Sequence, residues 1–169
     1  MVFGALGRMP RQTADMGMID IRPAVERDLT SVADLRWRWL LENGATPTTT
    51  HDEFIQWFVS WAQANTSSHR CLVVTDDEAV IGMGWLAITQ RVPTPVVLER
   101  ASGDVQCVYV VPDRRSTGLG GKLIDALVDL ARQLGLERVT VHSSVRAIPA
   151  YSRCGFAVSN RLLQTALSH

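Results

Sequence analysis

A chain of 169 residues is long enough to bury a full core without disulfide or metal staples and matches a single domain. With 46% hydrophobic and 20% charged residues it has the makeup of an ordinary globular protein and not of a disordered one. Lys plus Arg number 17 and Asp plus Glu also 17, so no net field draws in nucleic acid or an anionic membrane, and neither is expected as a partner.

Residues 1–17 carry scattered arginines and no apolar run long enough for a signal-peptide core, so neither export nor a membrane span is expected. They read as a flexible leader or the product of an upstream start, and the domain is expected over 18–169. Met18 precedes Ile-Asp-Ile-Arg-Pro-Ala, which alternates as a first strand. From about Glu26 to Glu42, Leu29, Val32, Leu35, Arg36 and Trp39 recur at helical spacing, and Asn43-Gly44 supplies a stop. Thr50-His51-Asp52-Glu53 has the form of a capping box, followed by Phe54, Trp57, Phe58 and Trp61 at three- and four-residue steps. The tryptophans of these two helices suit a packed helix pair, which is favoured, or an aromatic-walled pocket.

Cys71–Thr75 and Val80–Gln90 read as strands of an antiparallel hairpin joined through Asp76-Asp77-Glu78. Gly82 and Gly84 within the second strand indicate a bulge or a close backbone approach. Arg91–Gly103, with Pro93 and Pro95, is expected as a long connection. After a strand rich in β-branched and aromatic residues, Val105–Val111, comes Pro112, which cannot donate to a ladder. Leu123, Leu127, Leu130 and Leu134 then mark an amphipathic helix closed by Gly135. Val139 and Val141 alternate in a further strand, a short helix carries Pro149 and Tyr151, and Phe156–Leu163 is expected as a final strand.

Between strand and helix lies Arg115-Ser116-Thr117-Gly118-Leu119-Gly120-Gly121. Its glycines leave backbone amides bare at a helix N-terminus, where unpaired N–H donors and the helix dipole favour a phosphate. Ser116 and Leu123 occupy the positions at which a Walker loop needs Gly and Ser or Thr, and Leu123 also fills the third glycine position of a dinucleotide fingerprint. The arrangement that remains, Arg-x-x-Gly-x-Gly after a strand ending in Val-x-Pro, resembles the acyl-CoA pyrophosphate loop of the GNAT superfamily of N-acetyltransferases. Downstream, Ser144 to Phe156 is similar to the family's Asn-x-x-Ala-x-x-x-Tyr-x-x-x-Gly-Phe segment.

The resemblance implies an α/β fold of mixed α+β order, three-layered, with a mostly antiparallel twisted sheet flanked by helices. It implies acetyl transfer from acetyl-CoA, as co-substrate, to a primary amine of a small molecule or peptide. By resemblance, Arg115, Ser116, Thr117, Gly118, Leu119, Gly120 and Gly121 hold the pyrophosphate, and Val108, Tyr109 and Val110 pair their main chain with the pantetheine arm. Ser144 stands where the family's cofactor-contacting asparagine would be, and Tyr151 where a tyrosine protonates the leaving thiolate.

Gln106 replaces the glutamate base of many relatives, so the base is open between a water held by Gln106 and His142. A catalytically weak acyl-CoA-binding sensor of the same fold is the alternative. Three cysteines, Cys71, Cys107 and Cys154, lack metal-ligand spacing, so no metal is expected. Their odd number points to a reducing compartment, and a cytoplasmic location is expected. Cys107 reads as a small buried hydrophobe. A homodimer is one of the oligomeric states left open.

Overall fold

Five strands form one sheet in the order of the sequence, in a computed structural model that describes residues 17–167. They are β1 (Ile19–Pro23), β2 (His69–Asp76), β3 (Ala79–Gln90), β4 (Ala101–Val110) and β5 (Val139–Val141). The first four pair antiparallel through short connections or the α1–α2 helix pair, and β5 joins β4 in parallel because a helix crosses between them. The mixed, mostly antiparallel sheet expected from the sequence is what forms. The leader expected over 1–17 lies, apart from Gly17, outside the described residues.

Two helix layers cover the sheet, and strand alternation decides which residue meets which. α1 (Leu29–Glu42) and α2 (His51–Ala64) bury Val32, Leu35, Phe58 and Ala62 against Val73, Met83, Trp85 and Tyr109. α3 (Leu119–Gln133) and α4 (Ile148–Arg153) bury Leu123, Leu127 and Tyr151 against Leu72, Val74, Leu86, Val105 and Val110. Leu123 and Leu127 are fully enclosed, and each such side chain is worth about 1.5–3 kcal/mol of burial.

Local chemistry sets the helix ends. The Thr50 hydroxyl accepts from the Glu53 amide at 3.3 Å while the Glu53 carboxylate accepts from the Thr50 amide at 3.0 Å, which is the capping box read in the sequence. At the end of α3, Gly135 takes φ +67°, and the amides of Gly135 and Leu136 donate to the carbonyls of Arg132 and Ala131. Before α1, the buried Asp28 carboxylate accepts two bonds from Arg22, at 2.6 and 3.0 Å, and one from the Val25 amide at 2.8 Å. Full pairing is what lets a carboxylate sit there.

The structure corrects four expectations. Residues 156–163 form no strand, and Val158 and Leu163 are exposed; β5 has only three residues and offers too short an edge to template another strand. The connection after β3 is 91–100, because β4 starts at Ala101. Leu134 caps α3 and is exposed instead of continuing its apolar stripe. Helix packing claims the Phe54–Phe58–Trp61–Trp85 chain of rings, with centroids 5.5–5.9 Å apart, but leaves Trp57 exposed.

Candidate active site

The glycine loop joins the end of β4 to α3. Gly118 is the helix N-cap in the left-handed region at φ +85°, and Ser116 also adopts a positive φ of +63°, which a non-glycine residue takes only under constraint. The chain therefore doubles back sharply and starts α3 with its first amides facing outward. A Cβ built on Gly118, Gly120 or Gly121 meets no atom within 4 Å, so the space above the helix N-terminus is open. That open space, at the unpaired N–H groups of a helix's first turn, suits an anionic group such as a pyrophosphate.

Beside it, β4 is irregular in two ways. Met83 faces Tyr109 and Trp85 faces Gln106, so Gly84 alone opposes both Cys107 and Val108 in a β-bulge, with Cys107 at φ +53°. The sequence signal was on the partner strand: a Cβ at Gly84 would lie 2.8 Å from Leu127 Cδ1, so a side chain there would have to displace the Leu127 tip. On its other side β4 pairs with β5 only at Gly103–Val105, and beyond that the strands part. Gln106–Val110 thus present an edge without a strand partner among the described residues, leading straight to the glycine loop.

Glu42 at the end of α1 fastens this region. Its carboxylate accepts from the Tyr109 hydroxyl at 2.5 Å and from Arg115 Nη2 at 2.6 Å, and Arg115 Nε donates to the Val110 carbonyl at 2.8 Å. Bonds from Tyr109 and then Arg115 hold the Glu42 carboxyl below its usual range. Burial and the Glu42 bond push the Tyr109 phenol up to about 12. Arg115 is thus tied to both α1 and β4.

Tyr151 lies on α4, buried in the α3–α4 core with its ring against Phe156 at 5.3 Å. Burial, with Cys107, Cys154 and Asp104 acting in the same direction, pushes its phenol up to about 12, so it is neutral over the ordinary pH range. Ser144 is exposed at the start of the turn before α4. Gln106 Nε2 donates to Asp104 at 2.9 Å, and the other Asp104 oxygen accepts from Thr140 of β5 at 3.0 Å. Cys154 turns to α3, its thiol on the Gly121 carbonyl at 3.6 Å. No cluster of metal-binding side chains occurs among the described residues, and no helix there is long and apolar enough to cross a membrane. A separate cavity of about 440 Å3, lined by Glu26, Gln63, His69, Arg70 and Trp85 among others, opens on the β1–β2 side and takes no part in this site.

A sequence model of the acetyltransferase (GNAT) family matches residues 29–156, most of the chain and all of the elements just described from α1 to α4. The chain belongs to the GNAT acetyltransferase family. It is 35% identical over 68 residues to glucosamine 6-phosphate N-acetyltransferase of Trypanosoma brucei brucei, a match spanning 40% of this chain and 46% of that protein. The chain therefore aligns with less than half of that relative.

Solved GNAT folds superpose over nearly the whole domain. A predicted acetyltransferase of Clostridium acetobutylicum, solved with acetyl-CoA, has a TM-score of 0.71 at 21% identity, covering 88% of this chain and 96% of its own. An acetyltransferase of Trypanosoma brucei reaches 0.69 at 25% identity, covering 89% and 100%. Glucosamine-6-phosphate N-acetyltransferase of Arabidopsis thaliana gives 0.66 at 19%, covering 89% and 99%.

Within this GNAT domain the sequence-read residues 108–110 and 115–121 fall along one path, from the open β4 edge to the α3 N-terminus. Tyr151 lies in the opposite, α3–α4 layer, in the same core cluster as Val110, with Val108 packed against it. Sequence reasoning missed Glu42 and Asp104. Glu42 lies 67 residues from Tyr109 and 73 from Arg115, with no local pattern to betray the contact. Asp104 was legible only as the residue two positions before Gln106 on the same strand face.

Proposed function

We propose that this GNAT domain transfers the acetyl group of acetyl-CoA to a primary amine of a small molecule or peptide, by direct attack within a ternary complex. The observation that carries this reading is the continuity of two backbone features: the partnerless β4 edge runs into the open, amide-lined start of α3. The first suits an extended amide chain such as pantetheine, which pairs as an added strand, and the second suits its pyrophosphate. Amides of Ser116–Gly121 would hold the phosphates, with Arg115 shaping the loop, and Val108–Val110 would align the thioester at the bulge. A bulge amide there would polarise the thioester carbonyl.

The amine nitrogen attacks the carbonyl carbon, the C–N bond forms and the C–S bond breaks. Tyr151 gives its phenolic proton to the departing sulfur and regains one that the amine releases. A phenol held near 12 is protonated at neutral pH, as a donor must be. The test is release of CoA thiol from acetyl-CoA across a panel of primary amines, with the N-acetyl product identified by mass. Amine-dependent release supports the transferase. Acetyl-CoA binding without release to any amine would replace it by the acyl-CoA sensor, a reading that Gln106 at the base position favours.

A further inference from the structure

One charged side chain in the α1–α2 layer has no role in the site described so far. Val32, Arg36 and Trp39 are spaced four and three residues apart, so they share one face of α1, and the fully buried Val32 shows that this face meets the sheet. Arginine thus occupies a position where the buried stripe calls for an apolar residue. Its guanidinium carbon stacks 4.2 Å from the Trp39 ring centroid, which fixes the plane of the group.

Two buried side-chain nitrogens have no hydrogen-bond acceptor among the described residues: Arg36 Nη1 and Arg91 Nε. Arg91 Nε still lies 3.7 Å from the Glu137 carboxylate, whereas Arg36 makes no salt bridge there. The two carboxylates of the site described above are already committed, Glu42 to Tyr109 and Arg115, and Asp104 to Gln106 and Thr140. A buried, charged donor left without an acceptor bears its full desolvation cost, so it is kept only where something else completes it.

Its place indicates what. Arg36 stacks on Trp39, and Trp39 and Cys107 pack against the same buried cluster of the α1–α2 layer. That sets Arg36 on the α1–α2 face of the sheet, toward Cys107 at the bulge where the thioester would lie, with Tyr151 in the opposite layer. The Cys107 thiol is within electrostatic reach of Arg36. An amine approaching the bulge from this face would meet the guanidinium.

We infer that Arg36 is the docking point for an oxyanion carried by the amine acceptor, so that this enzyme selects amines bearing a carboxylate or phosphate over neutral ones. The inference rests on the transferase reading above and adds a substrate class to it. A planar guanidinium held against an indole presents paired N–H groups to such an oxyanion, and the low-dielectric surroundings strengthen the bond.

The test compares three small primary amines of similar reach: ethanolamine, 2-aminoethyl phosphate and 3-aminopropanoate. Thiol release gives kcat/KM for each with wild type, Arg36→Met, which keeps the apolar stem, and Arg36→Lys. The ratio of anionic to neutral kcat/KM should exceed one in wild type and fall about 10- to 100-fold in Arg36→Met, with partial recovery in Arg36→Lys. Because a ratio cancels general damage to folding or chemistry, it isolates recognition of the charge. The phosphate and carboxylate arms then show which oxyanion is preferred. An unchanged ratio in Arg36→Met overturns the inference and leaves Arg36 a packing residue. If no amine releases thiol, the transferase reading has failed, and calorimetric binding of the same three amines decides the matter for Arg36. Wild-type preference for the anionic amines that Arg36→Met loses supports it; equal affinities, or no binding of any, overturn it.

Discussion

Gly120→Val isolates the cofactor loop from the fold. Gly120 is the second residue of α3, and a Cβ there meets nothing within 4 Å, so valine fits without displacing protein atoms. Replacing glycine inside a helix even favours the helix, by a few tenths of about 1 kcal/mol, so the melting temperature should stay level or rise slightly. The valine methyls instead fill the space over the first-turn amides. Two charge-assisted bonds to phosphate, at about 1.5–3 kcal/mol each, come to about 3–6 kcal/mol, or roughly a 10²- to 10⁴-fold loss of acetyl-CoA affinity. Isothermal titration calorimetry measures the loss and a thermal melt checks the fold. Gly120→Ala, with one methyl, should fall between the two. Acetyl-CoA affinity within about twofold of wild type, in a Gly120→Val protein that melts normally, would refute the assignment of this loop to the pyrophosphate.

Three further outcomes follow from the site and its supports. Tyr151→Phe keeps the ring packed on Phe156 and removes only the hydroxyl, so kcat should fall by about 10²- to 10⁴-fold in the amine assay with acetyl-CoA affinity unchanged; a wild-type rate with chemistry limiting would make Tyr151 a packing residue. The protein has two tyrosines, so in a Tyr151→Phe background alkaline ultraviolet titration reports Tyr109 alone. Its phenol should titrate near 12, and Glu42→Gln should bring it down toward the ordinary value by removing the carboxylate. The corresponding stability is present below about pH 10, the unfolded value, and is lost as pH rises toward 12. Asp28 has the opposite sign: its carboxyl is held below the usual range, first by the Arg22 bonds, so its contribution is present above about pH 4 and is lost as pH falls through the lowered value. Asp28→Ala strands Arg22 and should cost about 3 kcal/mol at neutral pH, or about 6–12 °C in Tm, with a smaller gap from wild type in acid; equal gaps at both pH values would contradict the pairing.

The elements and the glycine loop were legible because their causes are local. The apolar steps of α1 and α3, the Thr50–Glu53 box, the Gly135 cap and the glycines before Lys122 all act through contacts three to five residues apart, which a linear reading can see. Where a local pattern had no place to dock, it misled: Phe156–Leu163 carries apolar residues at both ends, but a strand also needs an edge, and three-residue β5 does not supply one.

The centre of the site was decided by the tertiary structure alone. Gly84 hinted at a bulge, but the extra residue is on β4, where Cys107 takes a left-handed φ that no composition rule assigns to cysteine and only the register against β3 imposes. Glu42 holds Tyr109 and Arg115 from more than sixty residues away, and Arg36 reads as one more member of a helical stripe until the sheet beneath it is in place. Hydrogen-bond satisfaction is a property of the folded neighbourhood. The sequence by itself therefore determined the elements and the bare backbone of the glycine loop, through periods and glycines, while the packing of α1 on the sheet decided which charges are paired and left Arg36 Nη1 without an acceptor among the described residues.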